Sequence, residues 1–171
     1  MREHSADAKI QAVTCGILHM MSPFNRNNTI ADTVCLAFII LTMKDHALNA
    51  TLQYTACAAL QGFAINDDNK RCIAAMGGMD VILSAMKAHP KDAKVQQFGC
   101  GALFRLAVNE DNIMLVFAAG GIEAILVTMN ENVHIGEVQQ LGCGALAVLS
   151  LLKLMQFKLL LQVVLMQYHL P

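Results

Sequence analysis

Apolar and small residues recur at helical spacing in long blocks, broken at regular distances by short polar clusters. Over residues 94–107, Val95, Phe98, Cys100, Ala102, Leu103 and Leu106 share one wide face of a predicted helix. The cluster Asn109-Glu110-Asp111-Asn112 follows. Asn and Asp side chains accept hydrogen bonds from the unpaired N–H groups at a helix start, so the cluster predicts a stop and a new beginning. A short helix over 113–118 then ends at Gly120-Gly121, where paired glycines allow the left-handed backbone that turns the chain. A further helix over 121–129 puts Ile122, Ile125, Leu126 and Met129 on one face, and Asn130-Glu131-Asn132 closes the block. No alternating, strand-like segment of useful length competes with this pattern.

The block is repeated. Residues 52–69 read LQYTACAALQGFAINDDN, residues 95–112 read VQQFGCGALFRLAVNEDN, and residues 138–150 read VQQLGCGALAVLS, each 43 residues after the last. Gly77-Gly78, Met79, Ile82, Leu83 and Met86 fall in phase with the second glycine pair and its helix. A period of this length means stacked units that cannot bury their apolar faces alone. Residues 10–51 form a weaker copy: Ile10-Gln11 and Cys15 align with Leu52-Gln53 and Cys57, and Met43-Lys44 with Met86-Lys87. Val34-Cys35 stands there in place of the glycine pair, and Pro23 where Asn66 caps a helix later. The expected organisation is one domain: a degenerate copy at 10–51, full copies at 52–94 and 95–137, and a divergent copy at 138–171.

The pattern VQxxGCGALxxLAxNxDN followed by AxGGIxAI, as it stands over 95–125, resembles the armadillo repeat family. The resemblance implies an all-α fold, a right-handed superhelix of three-helix units. It also implies a non-enzymatic scaffold that binds a protein or peptide along a concave groove lined by the third helix of each unit. In family members that clamp extended peptides, a Trp and, four residues later, an Asn form a ladder. The matching positions here hold Ala58, Gly101 and Gly144, then Gly62, Arg105 and Val148. That departure points away from recognition of basic peptides and toward a shallow, open groove. Helical spacing on the same face selects Tyr54, Gln61, Gln97, Gly101, Phe104, Arg105 and Gln140 as partner-binding residues. Arg105 can fork onto a carboxylate or stack on an aromatic ring, and Phe104 can anchor a partner. The second reading is a fragment or oligomerisation unit of a larger armadillo protein, with no groove of its own.

Composition narrows the picture further. The chain is 56% hydrophobic and 15% charged, against roughly 45–50% apolar in an average soluble domain; stacked helices, each with several neighbours, absorb the excess. A net charge of −1 and the lack of any Lys/Arg run exclude a basic nucleic-acid footprint and electrostatic attachment to anionic membranes. Four of the six cysteines, Cys15, Cys57, Cys100 and Cys143, are in phase. Stacked helices lie roughly 8–10 Å apart, beyond the ~7 Å limit for a disulfide. These cysteines are therefore expected to be small buried hydrophobes in a reducing compartment, the cytoplasm first and the nucleus second.

Chemistry is sparse. The six histidines are scattered and no C-x-x-C occurs, so no metal site is expected. Gly99-Cys100-Gly101 begins like a dinucleotide loop but lacks the third glycine and the preceding strand. The Asp67-Asp68 and Glu110-Asp111 pairs recur at helix starts, where they complement the helix dipole. No catalytic residue and no cofactor follow from this. Residues 34–43 are apolar but far short of the ~20 needed to span a membrane. Residues 151–171 (LLKLMQFKLLLQVVLMQYHLP) break the phase; Lys153 and Lys158 argue against a span, and the apolar remainder suggests self-association through the C-terminus.

Overall fold

Polar clusters start the helices, as their chemistry demands. Asn49 accepts a hydrogen bond from the Leu52 N–H at 3.0 Å, and Asn66 from the Asn69 N–H at 3.1 Å. Asp92 accepts from the Lys94 and Val95 N–H groups at 3.1 and 3.0 Å. Each fills acceptor positions that the first helical turn cannot supply itself.

The computed structural model describes residues 2–21 and 29–150. They form an all-α fold, with nine helices and no strand among the described residues. The helices are α1 (Arg2–Met21), α2 (Thr29–Asp45), α3 (Ala50–Phe63), α4 (Asp67–Ala75), α5 (Gly78–Ala88), α6 (Ala93–Ala107), α7 (Glu110–Ala118), α8 (Gly121–Glu131) and α9 (136–150). The bounds of α4 to α6 recur in α7 to α9 after the 43-residue step. Pro23 and residues 151–171, including the expected apolar association surface, lie outside the described residues.

Two glycines make the turn before α5 and again before α8. Gly77 and Gly120 have φ of 76° and 78°, backbone that costs any residue with a side chain about 1–2 kcal/mol. The glycines that follow them are needed for space. A Cβ on Gly78 would lie 2.4 Å from the Ile73 Cγ2 and 2.8 Å from the Ile73 carbonyl oxygen, and Gly121 meets Val116 in the same way. Where Val34-Cys35 replaces the pair, α2 runs unbroken through both residues. Gly78→Ala should therefore destabilise the fold by about 1–3 kcal/mol, because fully buried Ile73 has nowhere to move. Gly136→Ala, where a Cβ meets nothing within 4 Å among the described residues, serves as the control. Equal urea midpoints for the two variants would refute the steric account.

The third helices of successive units pack side by side: among α1 to α8, α1 on α3 and α3 on α6 are the most extensive helix pairs. The α9 helix continues the series, with the Phe104 ring 3.5 Å from where a Cβ on Gly144 would lie and Met129 filling the equivalent space at Gly142. Gly99 receives Met86 in the same manner. The core runs along this stack through Leu60, Cys57, Leu103, Cys100, Ile82 and Ile125, all fully buried. Of the four in-phase cysteines expected to be buried, Cys15, Cys57 and Cys100 are, but Cys143 is exposed. Its side chain faces the direction in which, among the described residues, no further third helix follows.

Polar clamps fasten the stack. Gln53 Nε2 donates to the carbonyls of Met43 and His46, Gln96 Nε2 to those of Met86 and His89, and Gln139 Nε2 to those of Met129 and Asn132. Each glutamine thereby satisfies carbonyls left open at the end of the preceding second helix. Other bonds cross between units. Asn132 Nδ2 donates to the Pro90 carbonyl at 3.2 Å, His89 Nε2 lies 2.8 Å from the Ala47 carbonyl, and Asn112 Nδ2 donates to the Lys70 carbonyl.

No single helix among the described residues is long and apolar enough to cross a membrane. Helices α7 and α8 are apolar enough only when taken together, and a 66° bend separates them. Ile113, Val116 and Ile125 on that pair are already buried in the core.

Candidate functional site

The side of α3, α6 and α9 between their two stacking contacts forms a stripe of aromatic and polar side chains. Tyr54, Gln61, Gln97 and Phe104 are half-buried on it, while Arg105 and Gln140 are exposed. At its centre the Phe98 ring stacks on Tyr54, with centroids 6.2 Å apart and planes 24° from parallel. His19 of α1 meets Phe98 edge-on at 6.5 Å. Phe98 therefore links three successive third helices. The Lys94 ammonium lies 5.0 Å from the Tyr54 ring centroid, a cation–π geometry.

The floor of the stripe is closed where small residues suggested an open groove. Ala58 is only 4% exposed, and Gly101 is buried. The Gln61 amide lies where a Cβ of Gly101 would be, with Nε2 2.6 Å from that position. Phe104 covers Gly144 in the equivalent contact one unit later. Gly101 thus shapes the surface by admitting Gln61, and offers a partner little of itself. The physical reason is that helices packed through small residues approach closely, and a long side chain from the neighbouring unit fills the gap.

Of the selected residues, Tyr54 and Gln61 stand together with Gly101 and Lys94, while Phe104 packs toward Gly144. Arg105 has no ion-pair partner among the described residues and points a free guanidinium to solvent. Sequence spacing assigned Phe98 to the core and passed over Lys94 and His19. The signal that could have found them is their position one turn from Gly101 and Gln97, or in phase with Gln61.

Titration and cavities add no reactive centre. Burial pushes the Cys57 and Cys100 thiols up to about 12, and Cys15 to about 11, so they stay protonated and inert. Burial and then the Asp32 charge raise Cys35. A hydrogen bond from Lys70, with its charge, lowers Asp67; the two atoms are 2.7 Å apart. No group of three His, Cys, Asp or Glu residues among the described ones is placed to hold a metal. A cavity of about 310 Å³ lies between α5 and α8, lined by Met86, Lys87, Glu123, Val127 and Thr128, away from the third-helix stripe. The chain matches no family model and no curated protein.

Proposed function

We propose that the chain is an armadillo-type α-solenoid that binds a protein or peptide partner, without catalysis, on the face formed by its third helices. The observation that supports this most is the aromatic–polar stripe itself. Tyr54, Phe98 and Phe104 form a preordered apolar surface, while Gln97, Arg105 and Gln140 offer unspent polar groups beside it. Aromatic side chains with a nearby arginine are the residue types that dominate binding energy at protein interfaces. A surface held by packed helices binds with little reordering. The free guanidinium of Arg105 favours a partner that presents a carboxylate or an aromatic ring at that point.

Panning a displayed peptide library on the full chain tests the reading. Peptides enriched on the wild type should bind at least roughly tenfold more weakly to Arg105→Glu, the scale of a lost charge-assisted contact with reversal of sign. Circular dichroism should show the same helicity for both proteins. Enriched peptides that bind the variant unchanged would remove Arg105 from the site. A library that yields no enrichment over a scrambled surface, on wild type and on Tyr54→Ala alike, would sink the proposal.

A further inference from the structure

Every third helix has one side that faces the preceding unit, and this side is buried at each interface but one. Leu52, Val95 and Val138 occupy the same position on α3, α6 and α9, and all are 0% exposed. Ala59, Ala102 and Ala145, two turns on, are also 0% exposed. Their counterparts on α1 are Ile10 and Ile17, which are 66% and 51% exposed. Val13 and Met20 extend the same stripe at 64% and 72%. Spacing of three, four and three residues puts the four on one helix face.

Two further residues of α1 agree. Gly16 is in phase with Ala58, Gly101 and Gly144. Gly101 is covered by Gln61 of the unit before it and Gly144 by Phe104, but among the described residues nothing lies within 4 Å of a Cβ on Gly16. Gln11 stands where Gln53, Gln96 and Gln139 clamp a preceding second helix. Its Nε2 turns to Asp7 instead, and its buried Oε1 has no hydrogen-bond partner among the described residues. The side of α9 that faces onward shows the converse pattern. Cys57 and Cys100 are buried there and Cys143 is exposed; Ala64 and Ala107 are buried and Ser150 is exposed. Gln140 and Ala147 complete this exposed set. The residues named in the two sets are uncharged, and exposed Asp7 and Lys9 border the α1 face.

We infer that the onward face of α9 in one copy docks on the exposed face of α1 in a second copy, reproducing between chains the α3–α6 interface found within one. The offset that seats Gln61 on Gly101 seats Ala147 on Gly16 of the next copy. The offset that stacks Tyr54 with Phe98 brings Gln140 to Val13. Such a contact joins two different surfaces, so each added copy leaves one face of each kind free and association continues head to tail. It is independent of the partner-binding reading.

Sedimentation velocity over a dilution series of the full chain tests it. Wild type should form oligomers that grow with concentration. Ile17→Asp disables the α1 face and Ala147→Arg the α9 face, and each variant alone should sediment as a monomer. An equal mixture should give dimers, with a doubling of mass and no larger species, because each variant supplies the face the other lacks. Circular dichroism confirms that each is folded, and Ile10→Asp with Ser150→Arg provides a second pair on the same faces. A monomeric wild type would overturn the proposal. So would oligomers formed by either variant alone, which would mean pairing of like faces or another surface. A folded mixture that stays monomeric would overturn it as well.

Discussion

Gln96→Ala is expected to destabilise the protein by about 2–4 kcal/mol, whereas Gln97→Ala, one residue away, should change stability by less than about 0.5 kcal/mol. The contrast follows from what each amide touches. Gln96 is 1% exposed, and its Nε2 donates to the Met86 and His89 carbonyls at 2.8 and 2.9 Å. Its Oε1 accepts from the Thr128 hydroxyl of the following unit. Truncation strips two carbonyls and a hydroxyl of their partner at once, and each dry polar group costs about 1–3 kcal/mol. The cavity beside Gln96 and Thr128 can admit water, which keeps the total below the sum. For a chain of this size the fall in Tm would be roughly 10 °C. Gln53→Ala should cost less, because Ala85 stands where Thr128 stands one unit later and its Oε1 has no such hydroxyl to lose. Urea or thermal melts of the three variants decide the matter. Equal losses for Gln96→Ala and Gln97→Ala would show that the clamp does not carry this stability.

The helix plan was legible because its signals are local. Asn66, Asp92 and the glycine pairs act within one turn of where they stand, so their chemistry fixes the ends of α5, α6 and α8 to within a residue or two, while α4 and α7 begin about three residues earlier than read, inside their polar clusters. The missing glycine pair at Val34-Cys35 was equally readable, since nothing there can turn the chain and α2 runs straight on. Side-chain roles across units were not legible. Gln96 and Gln97 differ by one step around a helix, and only the neighbouring helix decides which becomes the clamp. Repetition separates them, since Gln53, Gln96 and Gln139 are constant while Tyr54 stands at the position of Gln97 and Gln140, but it does not say what the constant glutamine holds. Gly101 read as open floor because spacing within α6 contains no trace of Gln61, which arrives from another unit. Phe98 read as core and does pack against it, half-buried, but its contacts with Tyr54 and His19 span three helices and are not written in α6 alone. Cys100 and Cys143 lie in the same five-residue string, GCGAL, yet one is buried and the other exposed. Burial in a stacked fold belongs to the interface, and an interface needs a neighbour.

The in-phase cysteines give the second large effect, a steep loss of stability in alkali. Burial raises the Cys57 and Cys100 thiols to about 12 from the ordinary value of 9.0. The folded state therefore holds these protons after the unfolded chain has released them. For groups whose folded value is raised, the stabilising contribution is complete below pH 9 and falls as pH climbs from there toward 12. Each thiol removes about 1.4 kcal/mol per pH unit over that window, so the pair removes about 3 kcal/mol per unit. Cys15, raised to about 11, adds to the loss in the same direction. A marginal stability of about 5–15 kcal/mol cannot survive that slope for long, and unfolding is expected within two to three units above pH 9. Lysines and tyrosines titrate in the same range, so the test is a difference. Urea midpoints at pH 8, 9 and 10 for wild type and Cys57→Ala should converge as pH rises, because the variant lacks one of the proton-retaining thiols. Cys143 is exposed, and its variant serves as the control: Cys143→Ala should track the wild type at every pH. If Cys57→Ala and Cys143→Ala show the same pH slope, desolvation of the stacked thiols is not what limits the fold in alkali.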